Sequence, residues 1–151
     1  ELPQGQFSSV ICYEAAFPRH VRAAVLDGAK FVLVTTNESG YGRSAATLQF
    51  SEMTRMRAAE NGIDMVHASL TGSSAMISAD GTITERTPIM STAILQGEVG
   101  FRTLGPTFYT RVGDWVQYLT IVLFLVALVV RRRREGPARS PARSSQPDHR
   151  P

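Results

Sequence analysis

The chain has 151 residues, 43% of them hydrophobic and 19% charged, which is enough apolar material for a packed core and rules out a wholly disordered polymer. Its formal charge of +3 is unevenly placed: seven arginines against Glu135 and Asp148 give residues 131–151 a charge of +5, leaving −2 on residues 1–130. A slightly acidic folded part argues against nucleic-acid binding, which needs lysine and arginine spread over a folded surface or along a helix face.

Cys12 is the single cysteine, so the chain builds no internal disulfide and no multi-cysteine metal site. His20, His67 and His149 are too scattered for the short-spaced pair of a zinc site, and neither a metal nor a cofactor is predicted. Residues 1–6 lack the basic start and apolar run of a signal peptide. With Phe7 already reading as strand interior and no initiating methionine, the chain reads as beginning mid-protein.

Residues 7–12 form a short β-rich run that ends at a polar cluster, predicting a buried strand that delivers Cys12 to its C-terminal end. Pro18 suits the first turn of a helix whose Val21, Ala24 and Val25 follow at helical spacing, with Gly28 as its left-handed cap. Residues 31–36 are a nearly continuous apolar, β-branched run, the pattern of a strand covered on both faces. Strand, helix and strand give a βαβ-like order.

After a glycine-rich loop over residues 37–43, residues 44–61 are rich in helix formers and close at Gly62. Gln49, Met53, Met56 and Glu60 share a face there, which reads as core packing, and Glu52 with Arg55 and Arg57 with Glu60 are spaced for ion pairs. Residues 64–70 and 73–78 read as further strands, with Asp80 and Gly81 as a hairpin turn before Ile83 and residues 93–99 as one more strand. The order shifts from α/β to a meander, which predicts a mixed sheet packed with helices in a layered α/β or α+β domain.

Residues 115–130 hold only Gln117 and Thr120 as clearly polar side chains and run straight into Arg131, Arg132, Arg133 and Arg134. This is a membrane-helix candidate of about 24 Å, short of a hydrocarbon core of roughly 30 Å. Trp115 and Tyr118 suit one interface, and the arginines can reach toward the other. By the positive-inside rule, residues 131–151 form a basic cytoplasmic tail and residues 1–114 lie outside the cytoplasm. The proline, serine and arginine content of the tail predicts disorder.

A lone cysteine is most often a small buried hydrophobe. Cys12 differs in context, because it ends a predicted strand just before Tyr13, Glu14 and a helix start, where a thiolate can meet backbone N–H groups and a helix dipole. Such a thiol can attack a carbonyl and pass the acyl group on, given a base for its proton and donors for the oxyanion.

Ile11-Cys12-Tyr13-Glu14, followed by Thr36-Asn37-Glu38 with Gly42 and Ser44, resembles the nucleophile strand and loop of apolipoprotein N-acyltransferases, the membrane branch of the nitrilase superfamily. The resemblance continues through residues 53–60 and 71–75, and through residues 107–115 into a final membrane helix, so it covers residues 7 to about 130. It implies residues 1–114 as the C-terminal part of a nitrilase-like α-β-β-α sandwich, followed by a transmembrane helix over residues 115–130. Cys12 would be the nucleophile of a Glu–Lys–Cys triad, accepting an acyl chain from a phospholipid and passing it to the N-terminal amine of a diacylglyceryl-cysteine lipoprotein. Tyr13 would lend its backbone N–H to the oxyanion and its ring to the acyl chain, and Glu14 would help shape the pocket entrance.

The glutamate base and the lysine of that triad lie N-terminal to the cysteine in the family, and neither is in this chain, which is therefore expected to be inactive alone. Lys30 does not match the lysine's place, and Glu60 reads as an ion-pair member, with a role in positioning the site across the sheet as the alternative. Two departures stand inside the match: Glu38-Ser39-Gly40-Tyr41-Gly42 replaces the usual Asp, aromatic pair and glycine, and Gln49-Phe50 replaces a usual Gln-His. A membrane-tethered nitrilase-type amidase and a non-catalytic truncated product are the alternative readings.

Overall fold

A computed structural model describes residue 3 and residues 5–135, which divide into two units between Gly113 and Asp114. The disorder predicted for the tail beyond residue 135 lies outside the described residues.

In the first unit β1 (Ser8–Ile11), β2 (Val32–Thr36), β3 (Met65–Ser69), β4 (Ala75–Ile77) and β5 (Ile83–Arg86) form one mixed sheet in sequential order. The first three strands run parallel and the last two turn back antiparallel. Period-two alternation places Val10, Val34, His67 and Ala75 in one row across the sheet and Val32, Met65 and Ile77 in the next, all buried. Each large apolar side chain buried this way contributes about 1.5–3 kcal/mol.

The same face receives both long helices of the unit. Helix α1 (Pro18–Leu26) starts at the expected proline and buries Val21 and Val25. Helix α2 (Ala45–Asn61) ends where Gly62 takes φ 58° and ψ 48°, a left-handed conformation that lets the chain leave the last turn. Among the described residues both helices cover one side of the sheet, so the cover that the composition of β2 predicts for both faces is seen on one. Its alternate residues Leu33 and Thr35, with Ile11 and Ala68, are half-buried or exposed on the open face. The described unit is thus a mixed sheet with helices on one face.

The buried face of α2 is also not the methionine stripe. Thr47, Phe50, Ser51, Thr54, Arg57, Ala58 and Asn61 are buried, whereas Met56 is 56% exposed. The two spaced ion pairs do form, Arg55 to Glu52 at 3.2 Å and Arg57 to Glu60 at 3.0 Å. The expected strand over residues 93–99 is absent from the sheet. Gly97 instead lies against the side chain of Met76, and Gly100 N–H donates to Asp64 Oδ2 at 2.7 Å, so a side chain takes the place of a strand ladder.

A short helix, α3 (Phe108–Val112), returns to the C-terminal end of α2. Its Thr107 cap accepts from Thr110 N–H at 3.0 Å and donates to Glu60 C=O at 2.6 Å. Thr110 is fully buried and donates to Asn61 Oδ1 at 3.0 Å, while Arg22 of α1 donates to the carbonyls of Thr110 and Arg111. The second unit contains α4 (Trp115–Glu135), which continues through the arginines. The helix over Trp115–Arg134 is long and apolar enough to cross a membrane, and its last four residues are the arginines, so its apolar part remains the run over residues 115–130.

Thr110→Val leaves buried Asn61 Oδ1 without its donor and is expected to destabilise the unit by about 1–3 kcal/mol, read from the urea midpoint. Glu52 accepts from Arg86 of β5 at 2.9 Å, and that hydrogen bond, helped by Arg55, holds its carboxyl below the ordinary range. The stabilisation is present at neutral pH and is lost as pH falls through the folded carboxylate's titration. Since both groups are well exposed, Glu52→Gln should cost no more than about 1 kcal/mol at pH 7, with the difference vanishing in acid.

Candidate active site

Parallel pairing brings the C-terminal ends of three strands to one edge, the place where open α/β sheets form crevices. Ile11 lies beside Thr35, and Thr36 beside Ser69, so Cys12, the Thr36–Glu38 segment and the turn after Ser69 meet there. Cys12 is the first residue beyond β1 and takes φ +52°, a left-handed conformation that costs a non-glycine residue about 1–2 kcal/mol. Strained residues of this kind concentrate at functional sites because the surrounding structure holds them there. The result is a sharp strand-to-turn elbow that leaves the thiol half-buried, with Thr36 Oγ1 donating to Sγ at 3.6 Å.

The turn after Cys12 differs from the expected helix start. Cys12–Ala16 is a single short 3-10 segment, and α1 begins only at Pro18, so the dipole of a long helix does not begin at the thiol. Glu14 bends back to accept from Ile11 N–H at 2.8 Å, which fastens the elbow and occupies one carboxylate oxygen. Tyr13 is 53% exposed, with its ring edge-on to Phe17 at 5.5 Å and tilted against Phe50 at 5.9 Å.

Behind the elbow stands a buried polar chain that composition and motif did not point to. Glu38 and His67 are each 1% exposed, with Glu38 Oε1 and His67 Nε2 at 3.1 Å. His67 Nδ1 lies 2.8 Å from Thr54 Oγ1, which also donates to Phe50 C=O at 3.2 Å in α2. The other Glu38 oxygen, Oε2, is buried with no hydrogen-bond partner among the described residues and lies against Gly72. A Cβ at residue 72 would run into that oxygen, so the glycine is required by close approach. The network pins the residue two beyond Thr36 to both the neighbouring strand and the covering helix. The one sequence signal for it is that His67 sits two residues after Met65 in a strand, on the face that should be apolar.

The turn over Ser69–Ser74 is stapled by its own side chains. Ser69 Oγ accepts from Gly72 N–H at 2.8 Å, and Ser74 Oγ accepts from Ser69 N–H at 3.0 Å. Lys30 is at the other end of β2, six residues before Thr36, or about 20 Å along an extended strand. It therefore does not reach the thiol, in agreement with its mismatch to the triad lysine. Glu60 pairs with Arg57 as expected. Among the described residues no cluster of histidine, cysteine and carboxylates is placed to hold a metal ion.

His67→Ala leaves buried Glu38 Oε1 without its partner and should destabilise the unit by about 1–3 kcal/mol, while His67→Gln, which can still donate to Glu38, should recover part of that loss in urea unfolding. Gly72→Ala should destabilise the unit and disturb the same edge, visible as a faster reaction of Cys12 with a thiol reagent.

The pattern of the carbon-nitrogen hydrolase family matches residues 1–109. The apolipoprotein N-acyltransferase of Geobacter metallireducens is 35% identical over 132 residues, covering 86% of this chain and 25% of the relative. That of Vibrio vulnificus is 36% identical over 124 residues, covering 82% of this chain and 24% of the relative. The chain thus spans about a quarter of the length of these relatives. Among solved structures, a carbon-nitrogen hydrolase from Helicobacter pylori superposes with a TM-score of 0.53 at 14% identity, over 60% of this chain and 39% of the other, which shows a shared fold. The elbow cysteine at the parallel strand ends and the pattern over residues 1–109 lead to one conclusion: the chain belongs to the carbon-nitrogen hydrolase family.

Proposed function

We propose that this chain is the nucleophile-bearing part of a membrane acyltransferase that carries an acyl group on Cys12 from a phospholipid to the N-terminal amine of a diacylglyceryl-cysteine lipoprotein. The observation that carries the reading is the left-handed Cys12 at the edge where the parallel strands end, with a hydroxyl on its sulfur. The identity to named acyltransferases over more than four-fifths of the chain supports the chemistry. The helix over Trp115–Arg134 supports membrane residence, and the arginines at its end favour a cytoplasmic C-terminus with the catalytic unit on the outer face.

In the first half-reaction Sγ attacks the ester carbonyl of the phospholipid. A C–S bond forms, the ester C–O bond breaks, and the thiol proton passes through a base to the departing lysophospholipid hydroxyl. In the second, the lipoprotein amine attacks the thioester, a C–N bond replaces the C–S bond, and an amine proton returns to the sulfur. Tyr13 N–H, next after the nucleophile, is the proposed oxyanion donor. The base and the lysine come, on this reading, from the portion of the relatives' length that this chain does not span. Glu14 and Glu38 are each already engaged with structural partners.

The test is to produce the chain in membranes with the complementary part of the Geobacter metallireducens relative and to examine Cys12 by mass spectrometry after adding phospholipid. A hydroxylamine-labile acyl adduct that transfers to a diacylglyceryl peptide is expected. Cys12→Ala should abolish both, and the chain without the complementary part should form neither. Ammonia release from simple amides without lipid acylation would replace this reading with that of an amidase, and an adduct on the unassisted chain would remove the need for an outside base and lysine.

A further inference from the structure

Thr36 ends β2 on the buried face of the sheet, in line with Val32 and Val34, and is 8% exposed. Its backbone is held from both sides. It pairs with Ser69 of β3, its carbonyl accepts from Leu70 N–H at 3.0 Å, and two residues on Glu38 is fixed by His67. The branched side chain of a threonine has few rotamers open to it in such a place. Among the described residues its hydroxyl has one partner, Cys12 Sγ at 3.6 Å, a separation that the larger radius of sulfur allows. That partner is a poor match while the thiol is neutral. A buried O–H needs an acceptor, and a thiol sulfur is a weak one, whereas a thiolate is charged and accepts strongly.

We propose that the Thr36 hydroxyl is a catalytic group of the acyl transfer, donating to Cys12 Sγ whenever that sulfur carries negative charge. The role rests on the thioester reading above. In that reading the sulfur is negative twice: when the base has taken the thiol proton, and when the C–S bond of the thioester breaks and its electron pair stays on the sulfur, before the amine proton returns. Thr36 keeps its own proton in both steps. The hydrogen bond has two opposing effects on the attack, and their sizes decide the sign. A bond to a charged group favours the charged form by about tenfold at the weak end of its range, which suits so long a contact. The same bond makes the thiolate less nucleophilic, by about threefold for each tenfold gain in ionisation. Where most of the sulfur is protonated, the hydroxyl therefore speeds attack by about threefold, and where all of it is ionised the hydroxyl slows attack by about threefold.

This crossing is the test, and it needs no acyl transfer. The chain in membranes, with the complementary part of its relative, is treated with iodoacetamide and the modification of Cys12 is timed by mass spectrometry of its peptide. At about pH 6 Thr36→Val should react about threefold more slowly than the unsubstituted chain, and at about pH 10 about threefold faster. Thr36→Ala should cross in the same way, and Thr36→Ser, which keeps the hydroxyl, should restore most of the original profile. The other ionisable groups of the elements packed around the elbow are Tyr13 and Glu14 on its own turn, His20 on α1, Glu38 and Tyr41 after β2 and His67 on β3; all are common to the proteins compared and cancel in the ratio. A rate changed by one factor at both pH values would mark Thr36 as merely structural and overturn the proposal, as would rates unchanged at both. With phospholipid in place of iodoacetamide, Thr36→Val should slow adduct formation at neutral pH and Thr36→Ser should recover it. A crossing in a chain that forms no acyl adduct at all would overturn the thioester reading and the catalytic role with it, whereas an adduct without the crossing would overturn this proposal alone.

Discussion

The in-register parallel pairing of β1, β2 and β3 is the constraint on which the rest of the first unit depends. It puts Ile11 beside Thr35 and Thr36 beside Ser69, so three segments far apart in sequence end at one edge. A slip of one residue would turn Val10, Val34 and His67 to the open face and carry the elbow away from Thr36. Burial of the Val10 and Val32 rows under α1 and α2 enforces that register, which links apolar packing directly to the geometry around the thiol.

Polar groups do on the helix side what apolar ones do on the sheet. The buried face of α2 carries Thr47, Ser51, Thr54 and Asn61 beside Phe50 and Ala58, and buried polar groups of that kind are tolerable where they are paired. Thr54 bonds to its own helix and meets His67, while Asn61 bonds to Arg57 C=O and receives Thr110. Such directional contacts admit few alternative arrangements, unlike an apolar interface that can slide. The strained φ of Cys12 and the close approach of Gly72 to Glu38 are both sustained by this surrounding rigidity.

The two units sort their apolar side chains differently. In the first, apolar side chains are sorted to one face of the helices and strands that pack together; in α4 they are exposed all around, on a helix long and apolar enough to cross a membrane. Continuing the helix through Arg131–Arg134 satisfies the backbone of those residues while letting their long side chains extend beyond the apolar stretch.

The sequence alone determined the order of elements, because that order is written in local physics. Apolar β-branched runs marked β1 to β3, Pro18 marked the start of α1, Gly62 the end of α2, and Asp80 with Gly81 the hairpin before β5. It also singled out Cys12 as the residue to watch and the run before Arg131 as a helix long and apolar enough to cross a membrane. Tertiary structure alone decided which face of β2 was covered, since a strand's composition does not say where helices will pack. Only the assembled sheet could deny residues 93–99 a place in it, because a strand exists through its partner. The Glu38–His67–Thr54 chain and the contact of Tyr41 with Phe50 were invisible for the same reason. They join residues that no local periodicity relates, and it is the parallel register with α2 above it that makes them neighbours.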